Sequence, residues 1–346
     1  MADAISRLPE TELKLWAPPG ELPSQVIPAT LSSESAWLGE LMDHGGISHL
    51  MRNGGPSAVT APIKLLRLLR QCYKRNSMAD IYHINWLQSA LPLPNDGKPA
   101  LITVLGNDLK LLGLPLVRPL LRHVMRHRKV AICPNAEWMK EPLLEAFGDL
   151  ASVEPVSFGI DKEWYAVRRN IPTPPRWLAV TRLTRDKLGP LFEWSEPLFR
   201  EGERELHLFG PMQEEINVPE WVRYHGPTSP KALNTEWFPH ASGLITLSRH
   251  AEGRPQVMLE AMAAGLPIIA SDMQAHSSIV KHRQSGMLCA SDADYGRALT
   301  HLEDPVLNQK YGEFARSLAQ ELMGTWDDGA TRYAAIYRSL RERALS

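Results

Sequence analysis

Two pairs of charged side chains in this chain are spaced so that chemistry could use them. The first is acidic: Glu252 and Glu260 lie eight positions apart in GLITLSRHAEGRPQVMLEAMAAGLPIIASD, residues 243–272. Apolar 244–247 reads as a buried strand and the polar run to Glu252-Gly253-Arg254-Pro255 as a loop. The residues around Glu260 read as a helix stopped at Gly265, and 266–270 as a second buried strand. Strand, loop, helix, strand is the crossover unit of a parallel sheet. Such sheets meet ligands outside the carboxyl ends of their strands, which places Glu252 in the loop and Glu260 about two turns into the helix where a polar ligand is met. The free N–H groups and positive dipole end of the helix start favour anionic groups such as phosphates. The second pair is basic: Arg182 and Lys187 follow a short apolar strand at 177–180, in the run TRLTRDK. A guanidinium grips phosphate oxygens through two parallel hydrogen bonds and an ammonium acts as a compact charge, so this pair suits an anionic ligand. Without their context, acids at a helix start and two basic residues in a loop are equally ordinary surface features.

Glu, seven residues, Glu, followed by Ala-Met-Ala-Ala-Gly-Leu-Pro, resembles the donor-binding motif of retaining glycosyltransferases of family 4, which have the GT-B fold. The resemblance implies that Glu252 contacts the transferred sugar and that Glu260 holds the ribose hydroxyls of the nucleotide. It gives Gly253, Arg254, Pro255, Gln256 and Val257 to the loop and helix start that contact the sugar and diphosphate. Arg182 and Lys187 match the family's basic pair; fixed cations beside a departing nucleoside diphosphate lower the barrier. Family members usually have Gly directly after this Lys, whereas here Leu188 precedes Gly189. Gly226 and Pro227, after a strand at 222–225, correspond to the loop near the nucleobase. In the first part of the chain, Gly45 and Gly46 resemble the Gly-Gly that faces the diphosphate and acceptor, where missing side chains allow close backbone approach.

A chain of 346 residues, 44% hydrophobic, is long enough to bury two cores. A first strand is expected at 13–16, then a Pro/Ser-rich loop and a helix over 37–42. Strands at 80–86, 101–105, 130–133 and 153–156 follow. His83 and Asn85 stand near the end of the first of these four and Asp108 just beyond the second, which makes them candidates for contact with the reacting sugar or acceptor. Leu105 occupies the position where the family often has a second His. A buried His83 satisfied by hydrogen bonds is the alternative reading. Residues 157–161, Ser-Phe-Gly-Ile-Asp, resemble the turn that closes the family's first domain, so 162–175, with three prolines, reads as a linker. Strands at 177–180, 205–209, 222–225, 244–247, 266–270 and 287–289 then build the second domain. The helix at 328–343 resembles the one that crosses back to the first.

Residues 62–76 form an amphipathic helix with Leu65, Leu66, Leu68, Leu69 and Cys72 against Lys64, Arg67, Arg70, Lys74 and Arg75; a second basic stretch holds Arg118, Arg122, Arg126, Arg128 and Lys129. Each reads either as a solvated face or as a site for an anionic membrane surface. Cys72, Cys133 and Cys289 lack metal or disulfide spacing and read as buried thiols of a reducing compartment. Asp292-Ala293-Asp294 has a metal-diphosphate form, but its place at a helix start after a strand is explained by N-capping. No P-loop and no Gly-x-Gly-x-x-Gly after a strand occurs.

These readings predict an α/β protein of GT-B type, two Rossmann-like domains facing each other across a cleft. The first spans 1–161 with the closing helix of 328–346, the linker 162–175, and the second 176–327. The resemblance implies a retaining hexosyltransferase that moves a sugar from a UDP- or GDP-sugar to a hydroxyl of a glycan or lipid-linked acceptor, as in bacterial-type polysaccharide, glycolipid or lipid-linked glycan assembly. A donor phosphate oxygen takes the acceptor's proton, so no protein base, metal or other cofactor is expected. A sugar-nucleotide epimerase of the same shape and a non-catalytic nucleotide-sugar-binding subunit are the competing readings. A net charge of −1 gives no reason to expect nucleic acid as a partner. With no signal-peptide pattern and no apolar run near the roughly 20 residues that span a bilayer, a cytoplasmic protein, peripheral at the inner membrane face, is expected.

Overall fold

The computed structural model describes residues 1–47, 50–51, 54–250 and 253–345. The chain divides into two compact units, Met1–Phe158 with Trp326–Ser346, and Gly159–Thr325.

The first unit opens with α1 (Ala2–Ser6) and a short parallel pair, β1 (Leu13–Leu15) and β2 (Val26–Pro28). The sequence marks only the first of these, because Val26–Pro28 is a three-residue run inside a proline-rich stretch. After α2 (Ser32–Asp43) and α3 (Pro56–Arg75) come β3 (Tyr82–Asn85), β4 (Ala100–Val104), β5 (Val130–Pro134) and β6 (Ser152–Val153), paired in that order and all parallel. Between them lie α4 (Asp108–Leu111), α5 (Val117–Met125) and α6 (Lys140–Phe147). Both β4 and β5 are buried on both faces and apolar apart from Thr103, as suits central strands of a parallel sheet. Strand periodicity sends Ile84, Ile102 and Ile132 to one face, against Leu121, Met125, Leu143 and Phe147. Leu101, Ala131 and Cys133 go to the other, covered by α1 and by the C-terminal helix (Trp326–Leu345) through Tyr333, Ile336 and Leu340.

In the second unit β7 (Arg176–Val180), β8 (Glu205–Phe209), β9 (Val222–Tyr224), β10 (Gly243–Thr246), β11 (Ile268–Ser271) and β12 (Gly286–Cys289) form a parallel sheet. Among the described residues its order is β12-β11-β10-β7-β8-β9. The chain therefore builds outward from β7 in one direction, then returns to build outward from β10 in the other. The reversal falls between β7 and β10, and a crevice opens at such a point beyond the carboxyl ends of the two strands.

The segment expected as a linker is part of this unit. Lys162–Tyr165 forms α7, Trp164 and Val167 are buried, and Trp164 packs on Phe238 at 5.0 Å between ring centroids. Its apolar residues cover the underside of the unit, so only the proline-bearing end retains linker character. Close packing also reaches the backbone: a Cβ at Gly243 would lie 2.6 Å from both the Pro267 carbonyl oxygen and the buried Trp177 ring. Replacing Gly243 by Ala is expected to cost about 2 kcal/mol through overpacking, read as a lower urea midpoint; an unchanged midpoint would contradict this account of the β7–β10–β11 contact.

Candidate functional site

The loops that leave β7 and β10 are fastened to each other at the switch point. After β7 the chain turns through Thr181–Thr184 into α8 (Arg185–Leu188), where Thr184 caps the helix by accepting from the Lys187 N–H. The Arg249 N–H, in the loop after β10, donates to the Asp186 carbonyl at 2.8 Å. Gly189 lies against the same loop with φ +54°, and a Cβ there would sit 2.0 Å from the Leu247 carbonyl oxygen. Leu188, inserted relative to the family pattern, is buried in the core. Gly189 therefore stands where the two loops touch.

This join brings the basic pair beside the loop that leads to the acidic one. The Lys187 ammonium is pushed down to about 8, first by burial and then by the positive charge of Arg182. A like charge nearby disfavours the charged form of an ammonium, and an anionic ligand would favour it. The next strands close the rim. Thr181 N–H donates to the Phe209 carbonyl, and Gly210 N–H donates to the Gly226 carbonyl at 2.8 Å. Gly210 has φ +135°, and a Cβ there would lie 1.8 Å from the Thr181 carbonyl oxygen. Gly226 and Pro227 thus stand on the same edge of the sheet as Arg182 and Lys187.

From β10 the chain passes through Gly253, Arg254 and Pro255 into α10, numbered after α9 (Leu191–Phe199), which spans Gln256–Ala263 and begins with Gln256 and Val257. Glu252 lies outside the described residues. Glu260 is largely enclosed on this helix. Burial, then the neighbouring carboxylate of Asp161, raises its pKa to about 7, with a hydrogen bond from Gln256 opposing the shift. Asp161 belongs to the turn at the entry to the unit, whose Ile160 N–H donates to the Gly324 carbonyl.

Two arginines that the sequence does not single out hold the far end of α10. Arg169 donates to the carbonyls of Gly265, Ala241 and Ser242 and to Asn308 Oδ1, at 2.6–3.1 Å. Arg316 donates to the carbonyls of Ala263, Ala264 and Val167, at 2.6–3.0 Å. Arg316 sits on a helix after α11 (Asp292–Leu302), α12 (Pro305–Leu322). Burial and the nearby Arg316 charge bring Arg169 down to about 10. The only sequence signal for Arg169 is the apolar pair Trp164 and Val167 just before it, which marks that stretch as packed.

In the first unit the candidates are mostly committed to the scaffold. His83 Nδ1 contacts Tyr337 Oη at 2.5 Å and Nε2 contacts Thr103 Oγ1 at 2.9 Å; burial pushes the ring's pKa down to about 4, so it is neutral at pH 7. Asp108 is fully buried and accepts the N–H groups of Leu87 and Leu105 at 3.0 and 3.1 Å, tying together the chain ends beyond β3 and β4. Burial raises its pKa, and these backbone donors oppose the rise. Asn85 is exposed. Gly45 and Gly46 both have positive φ and end α2, their N–H groups donating to the Met42 and Leu41 carbonyls. Asp294 caps α11 together with Ser291, which accounts for the Asp-Ala-Asp run.

The second unit is a doubly wound parallel α/β unit, and solved structures share the fold of the chain. Sucrose-phosphate synthase from Thermosynechococcus elongatus is similar with TM-score 0.64 and 18% identity, over 82% of this chain and 80% of that one. Anabaena Alr3699/HepE in complex with UDP and glucose is similar with TM-score 0.62 and 14% identity, over 83% and 84%. The fold is that of the GT-B glycosyltransferases. Residues 174–304, in the second unit, match the family model of group 1 glycosyl transferases. A D-inositol 3-phosphate glycosyltransferase of Streptomyces bingchenggensis is 31% identical over 125 residues, 35% of this chain and 27% of that one. Its counterpart in Jonesia denitrificans is 32% identical over 130 residues, 37% and 30%. The match spans less than a third of the length of these relatives.

Replacing Arg169 by Leu removes a donor from four acceptors, of which the Ser242 carbonyl keeps Asn308 Nδ2, and is expected to destabilise the protein by about 3 kcal/mol, measured by urea unfolding. Glu260 carries the opposite sign. Its folded pKa, about 7, is above the unfolded value, so the folded state holds a proton that the unfolded state releases and stability falls as pH rises through that window. Glu260→Gln is therefore expected to be more stable than the parent by on the order of 2 kcal/mol at about pH 8, with the gain largely gone near pH 4.5.

Proposed function

We propose that the protein is a retaining glycosyltransferase that moves a sugar from a nucleoside diphosphate sugar, UDP- or GDP-linked, to a hydroxyl of a glycan or lipid-linked acceptor in the cytoplasm. The observation that carries this reading is that Arg182, Lys187 and Glu260 sit on elements leaving one switch point, with Lys187 held below and Glu260 above its ordinary pKa, each in the direction that a different part of one ligand would reverse. A diphosphate draws Lys187 to its charged form, and ribose hydroxyls, as donors, draw Glu260 to its carboxylate. The UDP and glucose complex of the structurally similar Anabaena protein and the group 1 match of residues 174–304 support it.

On this reading Arg182 and Lys187 stabilise the departing diphosphate, Glu252 positions the sugar and Glu260 selects the ribose. Gly226 and Pro227 border the base, and Gly253, Arg254, Pro255, Gln256 and Val257 line the path between sugar and diphosphate. The second unit holds most of the donor and the first the acceptor, with Gly45 and Gly46 assigned to donor binding and Asn85 to the acceptor or sugar side. The acceptor attacks the face from which the diphosphate leaves, and a donor phosphate oxygen takes its proton, so the chemistry uses no protein base and no metal.

The pH dependence of donor binding tests the assignment. Below about pH 7 Glu260 must lose a proton to bind, and above about pH 8 Lys187 must gain one, so affinity for UDP or GDP is expected to be bell-shaped. By calorimetry, Glu260→Gln should lose the acid limb and Lys187→Arg the alkaline limb. A pH-independent affinity, or limbs that survive both substitutions, would remove the basis for the proposal.

A further inference from the structure

We propose that the exposed side of α3 docks on the surface of an anionic phospholipid bilayer. The inference stands apart from the glycosyl-transfer reading and uses only the first unit. Val59, Ile63, Arg67, Arg70 and Lys74 follow one another at intervals of four, four, three and four, so they share one side of this 20-residue helix. Val59 and Ile63 are 64% and 63% exposed, an unusual state for two β-branched residues one turn apart. The three basic residues continue the same line and are also exposed. From Val59 to Lys74 the stripe runs about 22 Å, apolar at one end and cationic at the other.

The rotation of the helix is fixed from behind. Ala61, Leu69 and Cys72 are buried on the opposite side, Lys64 lies 4.6 Å over the Trp37 ring, and Arg75 pairs with Glu34 at 2.8 Å. No Asp or Glu occurs between residues 44 and 79. Among the described residues no carboxylate pairs with Arg67, Arg70 or Lys74. The second basic stretch differs in part: Arg122 is bound to Asp149, Arg128 to Asp96 and Arg118 to the Glu145 carbonyl, so these three serve the fold. Unpaired cations beside exposed aliphatic side chains fit a lipid surface, where the aliphatic end enters the headgroup layer and the long basic side chains reach phosphates. Among the described residues no helix is long and apolar enough to cross a membrane, so the contact is superficial.

Sedimentation of the full chain with phosphatidylcholine vesicles, with or without one-third phosphatidylglycerol, tests this. The parent should bind only the anionic vesicles, and less in high salt. Arg67→Gln/Arg70→Gln/Lys74→Gln should lower the partition coefficient about a hundredfold, and Val59→Asp/Ile63→Asp at least tenfold, with unchanged thermal midpoints. If the Asp variant unfolds, Val59→Ser/Ile63→Ser decides in its place. Equal binding to both vesicles, binding unaffected by the substitutions, or a stripe that instead mediates a dimer of this chain in sedimentation velocity would each overturn the proposal.

Discussion

The second unit depends on how α10 is held. Two arginines bind its C-terminal carbonyls, Arg169 through Gly265 and Arg316 through Ala263 and Ala264. The last carbonyls of a helix have no intrahelical donor and carry the negative end of its dipole, so guanidinium groups both satisfy and neutralise them. Arg169 also ties in Ala241, Ser242 and Asn308, joining the entry to β10 and the helix α12 to the same point. A Cβ at Gly312 would lie 2.0 Å from the Gly265 carbonyl oxygen, so α12 passes directly over this end. With its C-terminal end fixed, the helix presents its start, and Glu260, in one orientation.

The other end of the helix is a place of accumulated cost. Gly189 and Gly210 adopt positive φ where any side chain would strike a neighbouring carbonyl, Lys187 is buried beside another cation, and Glu260 is enclosed near a second carboxylate. The two glycines are required by these close approaches, whereas the cost at Glu260 would be relieved by one substitution in a chain selected only for stability. Their clustering around the point where strand order reverses is what separates this edge of the sheet from the rest of the unit.

The first unit shows how the same residue types serve other ends. Asp108 stands just beyond the carboxyl end of β4 and His83 within β3, yet their polar atoms are occupied by Tyr337, Thr103 and the backbone of Leu87 and Leu105. A strand end buried under a helix must satisfy its own backbone, and a carboxylate accepting two N–H groups does so. The basic residues divide in the same way, Arg122 and Arg128 taken up by Asp149 and Asp96, and Arg67, Arg70 and Lys74 on α3 left facing outward.

Much of the architecture was legible in the chain. Runs such as ALITV and VAICP are too apolar and too short to be anything but buried strands, and 205–209 falls on β8 residue for residue. The crossover around Glu260 follows from one apolar period giving way to another, which is local information. In 162–175 the prolines speak for a linker, and the burial of Trp164 and Val167 is not legible there because their packing partners lie far along the chain. Strand order, the fastening of Asp186 to Arg249, the commitment of His83 to Tyr337, and the partners of Arg169 all join residues remote in sequence. Local propensity and periodicity set which elements form; only the packing of those elements decided which polar groups were used up and which were left facing a ligand.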